Sequence, residues 1–153
     1  MLSHRASRDG LVIGEGAAML ILEDYEHAQA RGANIIAELV GFATNSDGAH
    51  ITQPMQATQI LCMQDALDCA GLAPQDIGLI NGHGTATEIG DIAESNATAE
   101  VYGANTPFHT LKGHFGHTLG ACGALEAWLS LEMLNEGWFA GIANLSTVDE
   151  RCG

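Results

Sequence analysis

Short apolar runs alternate with helical segments along this chain, and two of those runs lead directly into glycine-rich stretches that carry histidine. Residues 77–80 run into Asn81-Gly82-His83-Gly84-Thr85-Ala86-Thr87. Residues 108–111 run into Lys112-Gly113-His114-Phe115-Gly116-His117-Thr118-Leu119-Gly120-Ala121. Strands alternating with helices argue for an α/β fold with substantial parallel pairing. In open sheets of that kind, ligand chemistry sits beyond the carboxyl ends of the strands. Both histidine stretches fall there. Glycine beside a functional side chain lets the backbone turn sharply and lets a substrate come close.

The other elements follow from local pattern. Residues 17–22 read as a buried strand, 35–42 as a second strand, and 23–31 as a charged helix stopped by Gly32. A helix over 54–70 carries Ile60, Met63, Leu67 and Ala70 at helical spacing and closes at Gly71. Pro74 opens a short helical turn. Residues 89–102 and 119–134 read as two more helices, the first ending at Gly103, and 139–145 as a last extended piece. No internal repeat or low-complexity linker divides the chain.

Composition excludes several classes. With 153 residues, 46% of them hydrophobic, the chain can build one domain with its own core. No apolar run reaches the length of a membrane span, and residues 1–5 lack the apolar core of a signal peptide. The net charge is -14, from 19 acids against five Lys and Arg residues. Without a basic patch, neither nucleic acid nor an anionic membrane is an expected partner. Cys62, Cys69, Cys122 and Cys152 form no CxxC pair and are read as reduced, buried thiols in a cytoplasmic protein.

His83 and His117 are the candidate catalytic groups. His114, His117 and Cys122, with His109 nearby, offer a rival metal reading, but the intervening glycines and the helix at 119 fit a closed zinc set poorly. The glycines match neither GxxxxGK[ST] nor GxGxxG, and there is no GxSxG elbow. Lys112 is the only lysine in the chain. Glu126 lies among apolar residues of the last helix, where a buried acid needs a partner. It either pairs with Lys112 and braces His117, or is an exposed helix residue. Asp91 and Glu94 open the helix after His83, where the helix dipole alone favours acids. Thr85 and Thr87 either bind substrate through their hydroxyls or cap that helix.

Three motifs then carry a resemblance. Arg8-Asp9-Gly10 with Gly14-Glu15-Gly16-Ala17 resembles an RDG…GEGA segment. Asn81 to Thr87, followed by Gly90, Asp91 and Glu94, resembles HGTxT…GDxxE. Lys112, Gly116-His117-Thr118-Leu119-Gly120-Ala121 and Glu126 resemble KxxxGHxxGAxGxxE. In that order, over almost the whole chain, they resemble the C-terminal half of a β-ketoacyl-acyl-carrier-protein synthase, an elongating condensing enzyme of the thiolase fold. The stretch 116–128 is loosely similar to synthases of aryl-polyene clusters.

The resemblance implies a layered α/β thiolase-like half with mixed sheet and helices, residues 1–153 being one ketoacyl synthase C-terminal domain. It implies an acyltransferase with a Cys–His–His mechanism of decarboxylative condensation, in fatty acid, polyketide or polyene synthesis. His83 and His117 would stabilise the enolate, Lys112 would position His117 and pair with Glu126, and Thr85 and Thr87 would contact pantetheine. Asp91 and Glu94 would be structural support. The expected partners are acyl carrier protein and a second synthase subunit, as homodimer or heterodimer. No cofactor is expected beyond the phosphopantetheine carried by the substrate.

Two departures matter. None of the four cysteines sits in the family's nucleophile motif, and Cys122 occupies a slot usually held by a small structural residue. The family's final strands and their glycine-rich loop also have no counterpart. The expectation is therefore a partial domain, inactive alone, with open strand edges and with partial disorder, association or dependence on a partner. The acidity should also repel an acidic carrier, so its docking surface would lie mostly elsewhere, with Arg5 contributing. The competing expectations are a non-catalytic partner resembling a chain-length factor and a fragment without activity.

Overall fold

The computed structural model describes Met1 and residues 3–152. The helices follow the sequence pattern closely. Helix α1 (Tyr25–Ala30) is capped by Asp24, whose carboxylate accepts the His27 N–H at 3.0 Å. Helix α2 (Gln56–Ala70) ends at left-handed Gly71, with the Leu72 N–H returning to the Leu67 carbonyl. A 3-10 turn at Pro74–Asp76 leads to strand β1 (Ile80–Asn81). Helix α3 (Glu88–Tyr102) follows, then strand β2 (Phe108–His109) and a single helical turn, α4 (Lys112–Phe115). A 3-10 turn at Leu119–Ala121 feeds helix α5 (Cys122–Glu136), which Gly137 ends as Gly71 ends α2.

The sheet differs from the sequence expectation. Among the described residues it contains only β1 and β2, which pair in parallel as expected. Residues 17–22, 35–42 and 139–145 enter no ladder, and the runs at 77–80 and 108–111 contribute little to it, β1 and β2 being two residues each. A strand is defined by its neighbour, and these segments find none among the described residues. Met19 and Ile21 are 87% and 89% exposed, and Leu39 and Phe42 are also open. Residues 35–42 still pack sideways. A Cβ added at Gly41 would stand 2.7 Å from the Ala66 carbonyl oxygen and the Ala70 methyl of α2.

The interior is unusual for its polarity. The largest fully buried side chains are Lys112, His109, Thr110, Asp91 and Ser3, while Leu134 and Trp138 are exposed. Buried polar groups are tolerated only with partners. Most of the partners here surround His83 and His117.

Candidate active site

His83 stands in the turn that leaves β1, and that turn is tied down from two directions. The Glu94 carboxylate, on α3, accepts the backbone N–H groups of His83 and Gly84, the latter at 2.7 Å. Asp91, one helical turn earlier, is wholly buried and accepts from Ala86 at 3.1 Å and from the backbone of His4 at 2.7 Å. Ser3 donates its hydroxyl to the Gly84 carbonyl at 2.6 Å. These bonds hold Ala86 at φ +60, a left-handed conformation that is costly for a residue with a Cβ. Burial raises the pKa of Glu94, and the two N–H donors partly offset that rise.

Asp91 and Glu94 thus do more than complement a helix dipole, and both carboxylates shape the His83 turn. Thr87 occupies the N-cap position of α3, yet its side chain makes no cap bond. Its hydroxyl instead meets that of Thr85 at 2.8 Å. Ser3 and His4 belong to none of the sequence motifs, because nothing local marks a contact across more than eighty residues.

His117 is carried by a different frame. Its N–H donates to the Val12 carbonyl at 2.8 Å, and Gly14 donates back to the His117 carbonyl at 3.0 Å, so residues 12–14 bridge in parallel to it. This contact explains the glycine: a Cβ at Gly14 would collide with the carbonyl oxygen of Phe115. Gly14→Ala is expected to cost about 1–3 kcal/mol by overpacking, read as a lower urea midpoint. An unchanged midpoint would contradict that account of the His117 frame.

The structure brings His83 and His117 together. Their rings lie edge to face, with centroids 4.9 Å apart at 85°. The Leu119 N–H donates to His117 Nδ1 at 3.2 Å. A backbone N–H only donates, so the neutral ring carries its hydrogen on Nε2. Lys112 has no exposed surface, and its Nζ is 2.7 Å from Glu126 Oε1 on α5, with Glu126 also buried. Of the two readings of Glu126, the ion pair is the one realised.

Both histidines are held below their ordinary pKa. Burial is the main cause for each, followed by the Lys112 charge, with His117 adding to the effect on His83 and Glu126 opposing it on both. Both rings are therefore neutral at pH 7, each with one N–H to donate. Such donors, aimed at a developing oxyanion where water is excluded, are effective electrostatic catalysts. The rival metal set does not assemble among the described residues: His114 Nε2 lies 3.4 Å from the Gly141 carbonyl, and Cys122 is buried in the first turn of α5.

The same depression predicts acid sensitivity. Burial also lowers the pKa of His4 and His109. Each of these four histidines binds its proton less readily folded than unfolded. Their contribution is complete above the unfolded value near 6.5 and is lost as pH falls through the lowered folded values. The urea midpoint should accordingly be lower at pH 5.5 than at 7.5. A midpoint that rises on acidification would show that these rings are not buried as neutral groups.

Comparison with known proteins assigns this fold to one family. Residues 36–146 match the model of the β-ketoacyl synthase C-terminal domain. The chain is 42% identical to the chloroplastic 3-oxoacyl-acyl-carrier-protein synthase II of Arabidopsis thaliana, over 94% of this chain and 27% of that protein. It is 41% identical to 3-oxoacyl-acyl-carrier-protein synthase 2 of Staphylococcus aureus, over 95% of this chain and 37% of the relative. It also superposes on a β-ketoacyl synthase from Burkholderia phymatum STM815 with TM-score 0.98 and 55% identity, covering 100% of this chain and 38% of that one. Two further solved structures match at TM-score 0.92, each over 99% of this chain and 38% of theirs. One is the ishigamide ketosynthase/chain length factor, at 35% identity. The other is a type II PKS acyl-carrier protein in complex with its ketosynthase, at 36%. The chain belongs to the β-ketoacyl synthase C-terminal domain family, with the thiolase-like α/β fold of that family. It spans roughly a quarter to two fifths of the length of the relatives it matches.

Proposed function

We propose that this domain supplies the histidine half of the active site of a β-ketoacyl-acyl-carrier-protein synthase, an acyltransferase of fatty acid, polyketide or aryl-polyene synthesis in the cytoplasm. The observation that carries the reading is the His83–His117 pair, 4.9 Å between ring centroids and backed by the buried Lys112–Glu126 bridge. In this reaction the acyl group waits as a thioester on a cysteine. A malonyl thioester on the carrier loses CO2, and the electron pair of the broken C–C bond becomes an enolate. The enolate carbon attacks the acyl carbonyl, and the cysteine thiolate leaves. The imidazole N–H groups of His83 and His117 stabilise the enolate oxygen. Lys112 positions His117, and its charge adds to burial in keeping both rings neutral. Thr85 and Thr87 receive the pantetheine arm, and the phosphopantetheine comes with the substrate, so the enzyme needs no cofactor of its own.

The nucleophile comes from another segment of the longer enzyme. Of the four thiols expected to be buried, Cys122 in α5 and Cys152 beside Arg8 are, whereas on α2 Cys62 is half-buried and Cys69 exposed. The 153-residue chain alone is therefore expected to show no condensation. An acyl carrier protein is the substrate-bearing partner, as the names of the relatives and of the carrier–ketosynthase complex suggest. Among the described residues, Arg8, Arg31, Lys112 and Arg151 each have a carboxylate partner, and Arg5 instead bonds the Asn144 carbonyl. Docking of an acidic carrier thus falls mainly to the remainder of the enzyme or its dimer partner, with Arg5 contributing.

A second reading is a non-catalytic subunit that shapes chain length, suggested by the neighbour named ketosynthase/chain length factor. A subunit without chemistry has no use for His83, Lys112 and His117 together, which favours the enzyme. Co-expression with the N-terminal half of a close homologue tests both. Malonyl-carrier decarboxylation and condensation that disappear in His83→Ala and His117→Ala would support the enzyme. A folded complex without activity would favour the chain-length subunit, or a fragment without activity.

A further inference from the structure

Strands β1 and β2 pair in the register Ile80 with Phe108 and Asn81 with His109. Partnered residues of a parallel ladder present their side chains to the same face, with the strands about 4.8 Å apart. One face of this pair is apolar, and the Phe108 ring packs on it against His4 with centroids 5.0 Å apart. The opposite face carries Asn81 and His109 side by side.

His109 is wholly buried, and its Nδ1 lies 3.0 Å from the Ala140 carbonyl oxygen. A carbonyl only accepts, so Nδ1 holds the ring hydrogen and the neutral ring leaves Nε2 as a bare acceptor. That Nε2 is buried with no hydrogen-bond partner among the described residues. The same is true of Asn81 Oδ1, which is also an acceptor. Two acceptors at adjacent register positions cannot satisfy one another. A molecule with two hydrogens to donate can satisfy both, and buried polar groups in folded proteins are seldom left without such a partner.

We propose that one buried water, donating one hydrogen to Asn81 Oδ1 and one to His109 Nε2, is a fixed part of this domain and locks together the strand ends that position His83 and Lys112. His83 follows Asn81 by two residues, and Lys112 follows His109 by three. The bridge therefore sits behind both halves of the site without touching substrate, and Asn81 and His109 are positioning residues. The water stands on the strand register and the two orphaned acceptors alone; its consequence for turnover rests on the synthase reading.

The test is a high-resolution crystal structure of the longer enzyme with two substitutions at one position. His109→Gln can place an oxygen near the former Nε2 and should keep the water. His109→Asn keeps a donor for Ala140, offers nothing at Nε2 and should lose it. In step with that loss, His109→Asn should lower kcat for malonyl-carrier decarboxylation about tenfold with KM unchanged, since small misplacements of catalytic groups are costly, while His109→Gln stays near the parent rate. Equal rate losses in both variants would overturn the positioning role. A parent structure without this water, or with the Asn81 amide nitrogen donating directly to Nε2, would overturn the bridge even if neither variant folds. If the water is present and the parent enzyme does not condense, the synthase reading fails and the bridge stands.

Discussion

Lys112→Ala should destabilise the domain by about 3–5 kcal/mol, the cost of leaving one member of a buried ion pair alone. Lys112 has no exposed surface, and among the described residues its bond to Glu126 at 2.7 Å is the only side-chain contact that balances its charge. Removing it strands the Glu126 carboxylate, which is itself buried. The double variant Lys112→Met with Glu126→Leu removes both charges at similar volume, and should recover most of the lost stability, because well-packed apolar residues often replace a buried pair at little cost. Urea unfolding, run on both singles and the double, gives the coupling directly. Additive losses would show that the two side chains do not interact in solution. The double variant should nevertheless be a poor catalyst. The Lys112 charge helps depress the pKa of both His83 and His117. With both charges gone, the loss of the larger Lys112 effect outweighs the loss of the opposing Glu126 effect, so the rings keep their protons to higher pH and the acid limb of the pH–rate profile should move upward. A profile that stays put while stability falls would limit Lys112 to a structural part.

The helices are legible in the sequence because their signals are local. Gly71 and Gly137 supply left-handed ends, Asp24 supplies a cap, and the apolar spacing along α2 holds in three dimensions. The strands are less so. An apolar run such as 17–22 declares that it wants burial, but not which strand will provide it, and among the described residues none does. The site divides along the same line. His83, His117, Lys112 and Glu126 stand in motifs, whereas Ser3 and His4 reach the His83 turn only because the fold returns the first residues to Gly84 and Asp91. The Thr87 side chain shows the reverse error: the N-cap position is legible, but the hydroxyl turns to Thr85 instead of the helix. His109, a peripheral member of the metal reading, proves to be a core residue whose free nitrogen stands in register with the asparagine of the partner strand.

His83→Ala and His117→Ala should each lower malonyl-carrier decarboxylation by about 10²–10³-fold, the usual cost of removing one donor from a preorganised oxyanion site. The double variant should be little worse than either single, since two donors that act on one oxygen form a unit. The tautomer of His117 sharpens the test. Leu119 occupies Nδ1, so only Nε2–H is free to reach the substrate. His117→Gln can place an amide N–H near the former Nε2, and should retain part of the rate. His117→Asn can keep an acceptor for the Leu119 N–H but offers no donor toward the site, and should fall to the level of alanine. The reverse order would mean that His117 serves mainly to hold the turn at Leu119, which stands at φ +54 and relies on that bond. His83 makes no side-chain hydrogen bond that would fix its ring among the described residues. Its orientation is set instead by the Glu94 and Asp91 bonds to its turn and by the edge-to-face contact with His117. Truncating His117 therefore also frees the His83 ring, and this shared dependence is the physical reason to expect the two losses not to add.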